Sequence, residues 1–361
     1  MSTRIGIVTG GGDCPGLNAV IRAVVKTAAQ KGWESLGIMG GFDGLLEPAR
    51  FRLMDYHEMD GLLFVGGTIL GTANKGRFAA KVGQGEVQRI PASILDEAKE
   101  SFNRLELEAL VVVGGDGSLT IAQQLYEHGI PVVGVPKTID NDLEATDLTF
   151  GFDSAVACAT DALDRLRTTA ESHKRILVLE VMGRHAGWIA TSAGVAGGGD
   201  VVLIPEIPFR YDLICDKIME RARIGKHFTL IIVAEGAREQ GHDTVTAGKA
   251  ATNCETRLGG VGAIVGAEIE KRTGKETRVC VLGHLQRGGA PTTFDRVICT
   301  RFGVRAVQLV AEKKFGQMVA LRGLNIVDVH IPDAIGRLRT VPVEGDLVNA
   351  ARALGISFGI G

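Results

Sequence analysis

Two short apolar runs constrain this chain most. Leu110-Val111-Val112-Val113 ends in Gly114-Gly115-Asp116-Gly117-Ser118, and Pro131-Val132-Val133-Gly134-Val135 ends in Pro136-Lys137-Thr138-Ile139-Asp140-Asn141-Asp142. A β-branched run without polar alternation fits a strand covered on both faces, as in a parallel sheet flanked by helices. In open sheets of that kind ligands gather beyond the carboxyl ends of the strands, so both loops are expected to open onto one crevice.

The atoms of the loops suggest what they handle. Gly115 and Gly117 around Asp116 let backbone approach a ligand closely, and the N–H groups of Gly117 and Ser118 can point at an anion where a helix begins. Among phosphate oxygens Asp116 makes sense if Mg²⁺ lies between, because magnesium is commonly held by one or two carboxylates and substrate phosphates. The plain alternative is a glycine turn in which Asp116 caps a helix starting near Leu119. In the second loop Asp140 and Asp142 stand two residues apart. One can accept a proton while the other orients it or answers a metal, as an alcohol attacking a phosphoryl group requires. Taken alone, this loop could also be an Asx-rich turn.

Composition excludes several functions. With 361 residues the chain can build two cores. Its 40 basic and 42 acidic residues leave a net charge of −2, so no global field recruits nucleic acid or a membrane surface. Six cysteines occur without any Cys-x-x-Cys pair, which argues against a zinc site or a disulfide framework and suits a reducing cytosol. No apolar run reaches the roughly 20 residues of a membrane span. A cytoplasmic enzyme is expected.

Other segments repeat the strand-then-glycine theme. Ile5 to Thr9 reads as a strand ending in Gly10-Gly11-Gly12-Asp13, with a helix from Leu17 that stops at Gly32. A helix is expected over Gly151 to Leu166. Ile176 to Val181 is a strand leading into Met182-Gly183-Arg184, and Phe228 to Ala234 is one leading into Glu235-Gly236. Arg278 begins a strand that runs into a turn carrying His284 and Arg287, a fork and a further donor that could clamp an anion. Each has a plain reading as a solvated turn.

Together, Gly-Gly-Asp-Gly-Ser at 114–118 and Pro-Lys-Thr-Ile-Asp-Asn-Asp at 136–142 resemble the 6-phosphofructokinase family, and the further segments extend the match over nearly the whole chain. The resemblance implies an α/β fold of two Rossmann-like three-layer domains with mostly parallel sheets and the active site in the cleft between them. It implies exchanged segments, 1–151 plus 287–335 for the phosphoryl donor and 152–286 plus 336–361 for the sugar phosphate. The implied activity is transfer of phosphate from ATP to the 1-hydroxyl of fructose 6-phosphate, with Mg²⁺.

By the same resemblance Gly11 and Gly12 approach the donor phosphates with Gly115, Asp116, Gly117 and Ser118, and Asp116 holds the metal. Phe42 packs near the adenine or is plain core. Family members commonly carry an arginine where Asn74 stands here; Lys75 and Arg77 are close enough in sequence to supply the charge instead, and the role is assigned to Lys75. Asp140 is the base, with Thr138 beside it, and Arg184 stabilises the transferring group. Met182, Gly183, Glu235, His284 and Arg287 hold the sugar phosphate, while Arg175 and Arg278 reach that of a neighbouring subunit. A homotetramer or homodimer with shared sites is therefore expected.

Gly117 and Lys137 bear on the donor. Pyrophosphate-using relatives usually carry Asp at the position of Gly117, where it would collide with the α-phosphate of ATP, and a lysine at the position of Lys137. A clash excludes a ligand whereas an added lysine only attracts one, so ATP is expected and pyrophosphate is the alternative. NAD and lipid kinases share the Gly-Gly-Asp-Gly loop but lack the downstream segments. A non-catalytic nucleotide-binding subunit is the rival of another class.

Overall fold

The computed structural model describes residues 2–73, 76–78, 88–244 and 260–360. Its strands are β1 (Arg4–Thr9), β2 (Glu34–Ile38), β3 (Phe51–Leu53), β4 (Ala109–Gly114), β5 (Val132–Pro136), β6 (Ile176–Val181), β7 (Val201–Leu203), β8 (Thr229–Ala234), β9 (Thr277–Val281), β10 (Gln317–Arg322) and β11 (Asn325–His330). The helices are α1 (Leu17–Gln30), α2 (Ala92–Arg104), α3 (Asp116–Glu127), α4 (Phe152–His173), α5 (Trp188–Ala196), α6 (Tyr211–Arg223), α7 (Val261–Thr273), α8 (Thr293–Ala311), α9 (Ile331–Ile335) and α10 (Asp346–Ala353). Two compact α/β units result, one of residues 1–139, 143–154 and 287–338, the other of 140–142, 155–286 and 339–361.

In the first unit seven strands lie in the order β11-β10-β5-β4-β1-β2-β3. β10, β5, β4, β1 and β2 are parallel, and the antiparallel β11 and β3 close the edges. The β-branched run at 111–113 is the reason β4 sits centrally. Its valines are fully buried, each contributing about 1.5–3 kcal/mol by leaving water. Parallel pairing places the carboxyl ends of β1, β4 and β5 side by side, with Val113 opposite both Thr9 and Val135.

The second unit has an all-parallel sheet in the order β7-β8-β6-β9. Ile176, Val178, Ile231 and Val233 form its core with Ile214 and Ile218 of α6 and Val265 and Ile269 of α7. β6 and β8 end in register, Val181 opposite Ala234, so the Met182 and Glu235 loops leave the sheet together.

Candidate functional site

In the first unit α3 begins at Asp116 itself, with Gly115 as its N-cap and no side-chain cap bond. The plain reading of Asp116 as the cap of a helix starting near Leu119 is therefore replaced by a direct strand-to-helix turn. Asp116 stands in the first helical turn, where the helix dipole favours an anionic group. Two glycines make room for Ser118. A Cβ on Gly114 would stand 2.2 Å from the Ser118 Cβ, and one on Gly10 would stand 2.5 Å from its Oγ. The first and second glycine turns thus share one buried hydroxyl.

The β5 loop joins the same edge. The Lys137 N–H donates to the Gly114 carbonyl at 2.9 Å, and a Cβ on Gly115 would come within 3.0 Å of the Lys137 oxygen. Lys137 is 4 % exposed and its Nζ donates to the Gly12 carbonyl. One cation therefore ties the end of β5 to the Gly11–Gly12 turn.

Residues not singled out in the sequence brace these turns. Asn18, buried in α1, donates to the carbonyls of Val65 and Gly66 and accepts from the Ile69 N–H, fixing the glycine-rich loop that starts at Gly66. Thr72 donates to the Gly11 carbonyl at 2.5 Å. Asn74 and Lys75, at the end of that loop, lie outside the described residues. Phe42 is 6 % exposed within the core and stacks obliquely on Phe78 at 5.8 Å, which favours its reading as plain core. Thr149 donates to the Thr138 carbonyl at 2.7 Å, and the following backbone is held by Asp295 of α8. Its carboxylate accepts from the N–H groups of Gly151 and Ser154 and from the Ser154 hydroxyl. Burial pushes the Asp295 carboxyl up to about 6 against those three donors.

Arg287 belongs to this unit and donates to the Asp13 carbonyl at 3.1 Å, its guanidinium lying against Gly12. His284, in the short turn Gly283–Arg287, is exposed and belongs to the second unit.

In the second unit the Met182-Gly183-Arg184 turn depends on two glycines. Gly183 has φ 136°, a left-handed conformation that a side chain resists, and its added Cβ would meet the Ala186 oxygen at 2.8 Å. A Cβ on Gly236 would stand 2.0 Å from the Arg184 carbonyl oxygen. The Gly236 N–H donates to Gly183 O at 3.2 Å and the Glu235 N–H to Val181 O at 2.9 Å. The structure thus brings Met182, Gly183, Arg184 and Glu235 together at the carboxyl edge of the sheet. Asp140, partly buried, begins the segment 140–142 that belongs to this unit, and Asn141 after it has φ 52°.

Arg175 and Arg278 lie at the other edge. They flank the amino ends of β6 and β9 and share Glu276, at 2.7 Å from Arg175 and 2.5 Å from Arg278. The hydrogen bond and charge of Arg175, outweighing partial desolvation, and the charge of Arg278 hold the Glu276 carboxyl below its ordinary value. The six residues of β6 lie between Arg175 and Met182, seven steps of extended chain and roughly 23 Å at about 3.3 Å per residue. Within one chain these arginines do not join Arg184 on a phosphate.

The family model described as Phosphofructokinase matches residues 4–310. A protein of Chloroflexus aurantiacus named ATP-dependent 6-phosphofructokinase is 52 % identical over 99 % of this chain and 98 % of its own. A protein of Amycolatopsis methanolica named pyrophosphate–fructose 6-phosphate 1-phosphotransferase is 49 % identical over 94 % of this chain and 97 % of its own. The crystal structure of a pyrophosphate-dependent phosphofructokinase from Marinobacter aquaeolei superposes with a TM-score of 0.81 at 21 % identity, covering 98 % of this chain and 88 % of that one. At that identity it speaks for the fold alone.

Proposed function

The chain belongs to the phosphofructokinase family, and on that footing we propose that it transfers the γ-phosphate of ATP to the 1-hydroxyl of fructose 6-phosphate, giving fructose 1,6-bisphosphate. The observation that carries the reading is the first-unit edge where Asp116 opens α3 among glycines and the β5 loop packs on Gly115. That edge offers backbone N–H groups and a carboxylate to a phosphate chain. The unit of residues 1–139, 143–154 and 287–338 is assigned to the donor and the other to the sugar phosphate.

Asp140 accepts the proton of the attacking hydroxyl, a role typically worth about 10² to 10⁴ in rate. Thr138, two residues earlier in the sequence, is assigned to the same step. Arg184 stabilises charge on the group in transfer, and Met182, Gly183 and Glu235 hold the sugar. His284 and Arg287 take its phosphate. Gly11, Gly12, Gly115, Gly117 and Ser118 line the donor phosphates.

Magnesium fits Asp116. Asp116 stands in the first turn of α3, and a magnesium ion held there would take its other ligands from substrate phosphates and water. It would neutralise charge on those phosphates.

ATP is preferred over pyrophosphate because Gly117 leaves space for an α-phosphate and because Lys137, the residue that would favour pyrophosphate, already serves as a tie to Gly12. Several relatives at 47–52 % identity carry ATP-dependent names, and the pyrophosphate names keep the second donor as an alternative. Rates of the purified protein with fructose 6-phosphate, Mg²⁺ and each donor separately test this. Turnover with pyrophosphate and none with ATP would overturn the donor.

The position of Arg175 and Arg278 at the sheet edge opposite Arg184 supports sites shared between copies, in a homotetramer or homodimer. So does the edge strand β9, where Val279 and Val281 remain exposed. The five described cysteines are free thiols, in keeping with a cytoplasmic setting, and no described helix is long and apolar enough to cross a membrane.

A further inference from the structure

The segment Arg339–Val341 lies beyond the stretch that the family model matches, and none of the chemistry above uses it. It nevertheless touches both loops that carry the proposed chemistry of the second unit. On one side the Arg339 N–H donates to the Asp142 carbonyl at 2.9 Å, and the guanidinium reaches the Asn141 carbonyl at 3.5 Å. On the other, the guanidinium lies 4.5 Å over the indole of Trp188, whose Nε1 donates back to the Arg339 carbonyl at 3.0 Å. Two residues on, the Val341 N–H donates to Glu206 Oε1 at 2.8 Å. Both Glu206 oxygens accept from the Gly187 N–H, at 3.0 and 3.1 Å.

One short stretch of chain is thus fastened to Asn141–Asp142 and, through Trp188 and Glu206, to Gly187–Trp188. The first pair follows Asp140 directly. The second follows Arg184 by three residues. Asn141 sits in the left-handed region, a turn conformation that asparagine adopts as a single residue. Glu206 is a partly buried carboxylate whose described bonds all go to backbone N–H groups, the mark of a group that fixes chain. The stack of a guanidinium on an indole supplies a rigid, planar junction between the two sides.

We propose that Arg339, with Trp188, is a positioning residue for phosphoryl transfer that sets Asp140 against Arg184 by strapping their two loops together. This rests on the roles given to Asp140 and Arg184 above. A strap of this kind acts on the geometry of the reacting groups, where a displacement of about 1 Å can cost on the order of a hundredfold in rate, and it leaves the sugar's own contacts in place.

The test uses the full-length protein with Arg339→Ala, Arg339→Lys and Trp188→Phe, read by steady-state kinetics and by hydrogen exchange without substrate. Arg339→Ala is expected to speed exchange in peptides covering 139–143 and 187–188 and to lower kcat about tenfold, with KM for fructose 6-phosphate within about twofold. Arg339→Lys keeps the charge and restores part of kcat. Trp188→Phe keeps an aromatic face, though a smaller one, and loses the Nε1 bond, and should fall between; it and the lysine variant serve where the alanine variant does not fold. Unchanged exchange in all folded variants overturns the strap whatever the reaction. Faster exchange with kcat within twofold of the parent overturns the positioning role. A parent protein inactive on fructose 6-phosphate, with exchange still responding, upholds the strap and refutes the assigned reaction instead.

Discussion

The two units place their working loops by different means. In the first, the carboxyl ends of β1, β4 and β5 hold one another. Gly10 and Gly114 clear space for Ser118, Lys137 bonds to Gly12, and the Lys137 N–H bonds to Gly114. In the second, the Met182 and Glu235 loops meet through Gly236, but the segment bearing Asp140 is fastened by a piece of chain some two hundred residues later. A phosphate cradle can be built from neighbouring strand ends and small residues. On the proposed roles, a base and a cation that must face one another gain from such a brace.

The largest expected effect probes the base. Asp140→Asn should lower kcat by about 10² to 10⁴ with little change in KM for fructose 6-phosphate, because it removes a proton acceptor and keeps the shape. Near-normal turnover would take Asp140 out of the role. Next, Gly236→Ala forces a Cβ onto the Arg184 carbonyl. The second unit's turn should open, with activity reduced at least tenfold and stability by about 1–3 kcal/mol as in an overpacked core, seen as a lower thermal midpoint. Gly117→Asp probes the first unit alone. It should selectively depress the rate with ATP, and an equal loss with both donors would show that the clash is misplaced.

How much of this contrast was legible beforehand follows from its physics. β1, β4, β6 and β8 stand out because apolar runs lead into glycine, and β5 because its run leads into Lys137-Thr138-Ile139-Asp140; the residues at their ends are neighbours in sequence. The long tail of α4 does not. Beyond Leu166 it is mostly exposed and polar, with only Ala170 buried, so it shows no apolar period and is carried by helix continuity to His173. β11 leaves no sequence signal because it is half exposed along its length and lacks alternation. Glu276, Glu206, Asp295 and Arg339 act on residues far away in the chain or on backbone, and a lone charged residue announces neither. The glycines at 183 and 236 were visible as turns, but only coordinates show whose carbonyl each must admit.

Two smaller effects sharpen the comparison. Asp295→Asn puts an amide donor against the N–H groups of Gly151 and Ser154, and should cost about 1–3 kcal/mol. Its pH dependence has a definite sign. The carboxyl titrates at about 6 in the folded chain against an ordinary 3.8, so its contribution is full below 3.8 and is lost as pH rises through 6. Denaturant unfolding of parent and variant between those values should show that slope in the parent only. Smallest is Glu276→Gln, which loosens Arg175 and Arg278 together. It should leave the thermal midpoint unchanged and alter KM for fructose 6-phosphate by a few-fold, through a copy of the chain other than its own.

The most direct measurement follows a labelled γ-phosphate from ATP. Incubated with fructose 6-phosphate and Mg²⁺, the parent protein should place the label on the sugar's 1-oxygen at many turnovers per site, and Asp140→Asn should place almost none. Label that stays on the nucleotide with the parent, or that reaches the sugar as fast with Asp140→Asn, would contradict the account.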